Sequence, residues 1–219
     1  MSILKANKLE LHINDSYVVQ DISFNIEEGE SVIVQSSFDE VNELFNLILL
    51  KKKFKQGTLF YYDQDLSLYN FRDRIEYTSS DCLLIDNGYD FFDNLNVESN
   101  ILLPLVLNKK EVKEDYFLNV CETLGIKDIL DKNISDLSKY DLVKVKLARA
   151  IIVRPFLLLI DNITELLSID DKKAIMTLIN RINDIYKITT IHSVKAQSLT
   201  KYGSKIFVFD SGLFNEINA

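Results

Sequence analysis

With 219 residues, 47% of them hydrophobic, the chain can bury one substantial core, or a core with a smaller lobe. A formal charge of −8 and a pI near 4.9 give it no long-range attraction to nucleic-acid phosphates or anionic lipid headgroups, so general binding to either is disfavoured. Cys82 and Cys121 sit in or beside apolar runs, no metal-ligand spacing occurs, and neither a secretory leader nor a bilayer-length apolar run is present; the expectation is a cytoplasmic protein without metal, nucleic-acid partner or direct membrane insertion.

Residues 2–11 and 17–26 alternate apolar and polar side chains around Asn14-Asp15-Ser16 and predict an antiparallel hairpin. A turn at Glu27-Glu28-Gly29-Glu30 leads to a short apolar strand at 32–34, after which Val41, Leu44, Phe45 and Ile48 recur at helical spacing. The basic cluster Lys51-Lys52-Lys53-Phe54-Lys55 reads as a solvated loop, and runs at 58–62 and 75–78 predict further strands. Between 98 and 153 the pattern turns helical. Val112, Tyr116, Val120 and Leu124 recur every four residues up to a stop at Gly125, and Val143, Leu147 and Ile151 form the buried stripe of a second helix. After Pro155, apolar strands at 156–160, 188–191 and 206–209 alternate with a helix opening at Asp170-Asp171, which is parallel α/β order. The prediction is one domain over 1–219: an α/β core over 1–97 and 154–219, opened by antiparallel strands, with a helical lobe over 98–153.

Several phrases follow one another along this frame. Tyr17-Val18-Val19-Gln20-Asp21-Ile22-Ser23-Phe24 precedes Glu28-Gly29-Glu30; Leu95-Asn96-Val97-Glu98-Ser99-Asn100-Ile101 precedes Pro104-Leu105. Leu147-Ala148-Arg149-Ala150 with Arg154-Pro155 precedes Leu157-Leu158-Leu159-Ile160-Asp161, then Thr190-Ile191-His192-Ser193 and the run at 206–212. In order and spacing they resemble the ATP-binding (nucleotide-binding) domain of ABC transporters across nearly the whole chain, and the phrase at 95–105 is similar to the lipid, lipoprotein and peptide export branch. The resemblance implies an ABC-type P-loop NTPase core with an N-terminal antiparallel β subdomain and a helical insert lobe. It also implies an adenine platform at Tyr17, the metal-facing acid at Asp161 and the switch histidine at His192.

The residues that carry ATP chemistry in that family are largely replaced. A phosphate loop GxxxxGK[ST] closes backbone amides around the phosphates, neutralises them with lysine and holds Mg²⁺ on a hydroxyl. The matching stretch here is Gln35-Ser36-Ser37-Phe38-Asp39-Glu40-Val41-Asn42-Glu43, in which Val41 stands for the lysine, Asn42 for the hydroxyl, and Asp39 and Glu40 add negative charge. It reads better as a strand-to-helix turn, with Ser36 and Ser37 as remnants. The signature LSGGQ corresponds to Leu137-Ser138-Lys139-Tyr140-Asp141, leaving Ser138 as the N-cap of the next helix. Asn162 replaces the general-base glutamate, and an amide cannot take a proton from water at neutral pH. Ser80 falls at the glutamine that senses the γ-phosphate and Ser168 at the aspartate of the loop that crosses between subunits. His192 without its partners reads as a structural histidine, and Tyr17 equally as a packing aromatic.

Such domains pair head to tail, so the resemblance implies a pseudo-ATPase altered in both halves of its shared sites, with no catalytic residue and no cofactor expected. It further implies a membrane permease, an active cassette subunit, or both as partners, and a peripheral position at the inner membrane face through them. Leu83, Leu84, Tyr89, Phe91, Phe92 and Leu95, with Asp136, correspond to the family's groove for the permease; the apolar members read equally as lobe core. Two alternatives stay open: an ATPase that holds ATP and Mg²⁺ by atypical contacts, and a soluble interaction module detached from transport.

Overall fold

The computed structural model describes residues 1–13, 17–36, 40–53, 55–210 and 213–217, with only the backbone for Ile13, Tyr17 and Val18. In chain order the elements are β1 (Ser2–Ile13), β2 (Tyr17–Glu27), β3 (Ser31–Gln35), α1 (Glu40–Ile48), β4 (Thr58–Tyr61), β5 (Gln64–Asp65) and α2 (Phe71–Glu76). Then come β6 (Cys82–Ile85), α3 (Val97–Leu107), α4 (Glu114–Leu124), α5 (Lys139–Ile151), β7 (Leu157–Asp161), α6 (Ile169–Tyr186), β8 (Thr189–Val194), β9 (Lys205–Asp210) and β10 (Leu213–Ile217).

The alternating opening forms the expected hairpin, β1 on β2, with Ala6 opposite Phe24 and Leu9 opposite Ile22. β4 and β5 extend it into an antiparallel sheet ordered β2-β1-β4-β5. Gly57 permits the return to β1: its φ is +87°, and a Cβ there would come within 2.3 Å of the Lys8 carbonyl oxygen. The second sheet runs β10-β9-β3-β8-β7-β6, parallel from β9 to β6 with β10 antiparallel at one edge. Its centre is apolar because both faces are covered. Leu157, Leu158, Leu159 and Ile160 are all 0% exposed.

One face packs α1 against the antiparallel sheet, through Phe45 and Ile48 with Leu9, Ile22 and Leu159. The other face packs α6, through Ile175 and Ile179, together with the helical segment. Ile101 of α3, Val120 of α4 and Leu147 of α5 share that cluster with Leu158 and Ile160, so the helices at 98–153 bury their apolar faces in continuity with the sheet. Gly125 ends α4 with φ +60°, as its position after the apolar stripe predicts.

The strand predicted at 75–78 is instead helix α2, continued by one π-helical turn at Tyr77–Asp81 before pairing begins at Cys82. Asn70 fixes the outcome. Its side-chain oxygen accepts from the amides of Arg72 and Asp73, while the Asp73 carboxylate accepts the Asn70 amide at 3.2 Å. That reciprocal cap outweighs a weak two-residue alternation.

Candidate functional site

The carboxyl ends of β3, β6, β7 and β8 surround a polar cleft of about 210 Å³, at the sheet edge where parallel α/β proteins hold ligands. Ser36, Val41, Asn42, Asp161 and Asn162 all line it, so the structure brings together five of the residues singled out from the sequence. Ser37 and the side chain of Tyr17 lie outside the described residues.

The start of α1 carries its own anion. Glu40, the first residue of the helix, is 2% exposed, and its carboxylate accepts a hydrogen bond from Ser36 Oγ at 2.8 Å. The free amides and the dipole of a helix N-terminus favour negative charge there, the same physics that lets a phosphate loop hold a triphosphate. Val41 is 4% exposed and belongs to the core around α1. It offers no charge. Asn42 accepts from Asn46 Nδ2 along the exposed side of the helix at 3.4 Å.

The opposite wall is also paired internally. Asp161, at the end of β7, accepts from Ser193 Oγ at 2.6 Å. Asn162, in a left-handed conformation at φ 49°, donates from Nδ2 to Glu165 at 2.7 Å and accepts at its carbonyl from Asn87 Nδ2 at 2.6 Å. Glu165 in turn meets Lys195 Nζ at 2.8 Å, and these two side chains are 43% and 57% exposed.

Two positions read from the sequence differ in space. His192 lies inside β8, 1% exposed, and no hydrogen-bond partner is described for either ring nitrogen; burial pushes its pKa down from 6.5 to about 3. It does not line the cleft. The residue that leaves β8 into the cleft is Lys195. Likewise Ser80 sits in the π-helical turn before β6, where Lys110 Nζ donates to its hydroxyl at 3.1 Å, and Asn87 is the residue beyond β6 that enters the cleft. Asn87 and Lys195 were missed because the preceding strands were placed too early. The end of the apolar run at 82–85 was the signal that locates Asn87; the strand Thr189-Thr190-Ile191-His192-Ser193-Val194 mixes polar and apolar residues and gave none for Lys195.

Ser138 caps α5, its Oγ accepting the Asp141 amide at 3.1 Å, and does not line the cleft. Ser168 caps α6 in the same way, accepting the Asp171 amide at 3.2 Å. Leu83 and Leu84, with Pro104, Arg149, Ala150 and Val153, line a groove of about 150 Å³ between β6, α3 and α5. Among the other groove candidates, Tyr89 and Phe92 are 61% and 52% exposed, Leu95 is half-buried, Asp136 is exposed on a separate turn, and Phe91 is buried at 8%. Phe91 lies under Lys146 and Arg149 of α5. Those two cations clamp the loop leaving β6: Lys146 Nζ donates to the carbonyls of Asp86, at 2.7 Å, and Gly88, and Arg149 donates to both the carbonyl and carboxylate of Asp90. Leu68, Phe71, Val106 and Leu107, all at least 62% exposed, were not singled out from the sequence; they flank the segments that lead to this groove.

Residues 43–165 match the family model described as ABC transporter. Among curated proteins, the chain is similar to the ABC transporter ATP-binding protein YxdL of Bacillus subtilis, 27% identical over 97% of this chain and 87% of the relative. It is also similar to the bacitracin export ATP-binding protein BceA of Halalkalibacterium halodurans, 24% identical over 100% and 89%. In fold it matches cbiO1 from Clostridium perfringens, part of the ABC transporter complex cbiONQ, at a TM-score of 0.88 and 20% identity over 98% and 87% of the two chains. It matches MJ0796, a dimeric cassette bound to ADP and Pi, at 0.79 and 16% over 99% and 100%.

Proposed function

The chain belongs to the ABC transporter family as an ATP-binding subunit of a transport complex, and from that premise we propose that it works there as a pseudo-ATPase, docking on a permease or an active cassette and serving assembly or regulation. The observation that carries this reading is the buried Glu40 carboxylate bonded to Ser36 at the start of α1. A triphosphate placed there would meet a like charge at a cost of roughly 4 kcal/mol per pair of unit charges 4 Å apart at an effective dielectric of 20. Val41 supplies no compensating cation and Asn162 no general base. Docking is supported by the groove at Leu83 and Leu84 and by the exposed apolar side chains near it. The phrase at 95–105 and the bacitracin export relative support a place in the export branch.

Calorimetric titration with millimolar Mg-ATP, alongside a phosphate-release assay, tests the inactive site. The expected result is no saturable heat and no release above buffer. Saturable binding with turnover overturns it. One observation favours ATP held by atypical contacts instead: the cleft keeps a carboxylate, Asp161, and a cation, Lys195. The same titration decides between the two. Affinity capture from native membranes tests docking, and recovery of neither a permease nor a cassette protein contradicts it.

A further inference from the structure

A larger cavity, of about 830 Å³, opens at the other end of the sheet, where β7 and β8 begin. Three parts of the fold meet there: Tyr62 lies in the β4–β5 turn of the antiparallel sheet, Tyr116 belongs to α4, and Phe156 and Thr189 stand at the start of the central strands β7 and β8. Its volume is that of a small-molecule site.

The lining has already used its uncharged polar groups. Tyr116 donates to the Ile151 carbonyl at 3.1 Å, Tyr186 donates to Asn119 Oδ1 and accepts from Thr123, and the Tyr62 hydroxyl faces the Glu28 carboxylate. Thr189 Oγ1 accepts the Gly29 amide at 2.9 Å. Apart from the Glu28 carboxylate, which faces Tyr62, what remains on offer is aromatic surface and the positive charge of Arg154 and Lys187. Phe156 is 53% exposed, with Tyr62 edge-on to it at 6.2 Å between ring centres. The Arg154 guanidinium lies 3.9 Å from the centre of the Tyr116 ring, and neither it nor Lys187 has an ion-pair partner among the described residues.

We propose that this cavity binds a small planar aromatic anion, its ring against Phe156 and Tyr62 and its acidic group on Arg154. Ring-faced cavities select flat ligands, and a guanidinium backed by an aromatic ring presents its donors to a carboxylate or phosphate. A ligand there would touch all three parts of the fold at once. The proposal stands independently of whether the cleft holds nucleotide.

Titration with 2-naphthoate by calorimetry tests it, with 2-naphthol as a ring without the acid and cyclohexanecarboxylate as an acid without the aromatic ring. The expected result is saturable 1:1 binding of naphthoate at least ten-fold tighter than either control. Hydrogen-exchange protection should appear at 154–156 and 185–189. Arg154→Gln, at an exposed position whose backbone conformation costs Gln no more than Arg, should weaken naphthoate about ten-fold and leave naphthol unchanged. Absence of saturation up to millimolar naphthoate, equal binding of the controls, or an unchanged affinity in Arg154→Gln overturns the proposal.

Discussion

At the carboxyl ends of β3, β7 and β8, Glu40 is bonded by Ser36, Asp161 by Ser193, and Glu165 by Asn162 and Lys195, whereas at the amino ends of β7 and β8 Arg154, over the Tyr116 ring, and Lys187 have no ion-pair partner among the described residues, and the one carboxylate in that cavity's lining, Glu28, faces Tyr62. One edge of the sheet has satisfied its polar groups internally, and the other has left charge uncompensated. On the proposed reading, partners drawn from the chain itself, such as a carboxylate at a helix N-terminus, can stand where a ligand's contacts would otherwise be and keep that edge in shape.

His192 lies on β8 between the two edges, and acid should affect it more than any other residue discussed here. Burial holds its pKa at about 3, against 6.5 for the free side chain. As pH falls through 6.5 the unfolded chain takes up a proton that the folded chain refuses. Stability is therefore intact above pH 6.5 and falls by about 1.4 kcal/mol for each pH unit on the way down to 3. Urea unfolding at pH 7 and 4.5 should show wild type losing about 3 kcal/mol more than His192→Val, whose apolar side chain has no such proton to refuse. Equal losses would mean that the imidazole is solvated or paired.

The next effect tests the internally occupied edge directly. Glu40→Ala removes the bond from Ser36 and the negative charge at the start of α1, at a cost of about 1–3 kcal/mol. Added inorganic phosphate should then raise the melting temperature of the variant and not of wild type, since only the variant has an uncompensated helix terminus. Equal responses would break the comparison between the two edges. A smaller loss, about 1–2 kcal/mol, is expected for Lys146→Met, which frees the carbonyls of Asp86 and Gly88. Its reading is local: faster hydrogen exchange at 86–92 with β7 and β8 still protected.

The fold was legible because its evidence is distributed. Alternation at 2–11 and 17–26, apolar runs at 157–160 and 206–209, and the stop at Gly125 each point to one element, and their order points to one family. The site was legible where it sits directly on such an element, as Ser36, Val41 and Asp161 do, and failed where a strand end had to be placed. Reading 75–78 as a strand brought the following loop forward to Ser80, although the capping residues Asn70 and Asp73 mark a helix there and the pairing run begins at Cys82. Taking His192 for a strand end had the same origin: residue type was weighed above the length of the buried run, which continues to Val194. Which residues bond to one another across the cleft depends on tertiary packing, and no local pattern encodes it.

The smallest expected effect concerns Glu165 and Lys195. Both side chains are about half exposed, so water screens their attraction, and the pair should contribute no more than about 0.5 kcal/mol in a double-mutant cycle of Glu165→Gln and Lys195→Met. A coupling above about 1 kcal/mol would show that the pair is shielded by the cleft, which then closes more tightly than the exposure of its side chains implies. With the expected weak coupling, the pair lies across the cleft without sealing it, and on the proposed reading it is Glu40 and the missing lysine at Val41 that would disfavour phosphate. Lys195→Met alone should then leave the response to Mg-ATP unchanged in calorimetry, while loss of a wild-type binding signal in that variant would assign the cleft's remaining cation to a bound nucleotide.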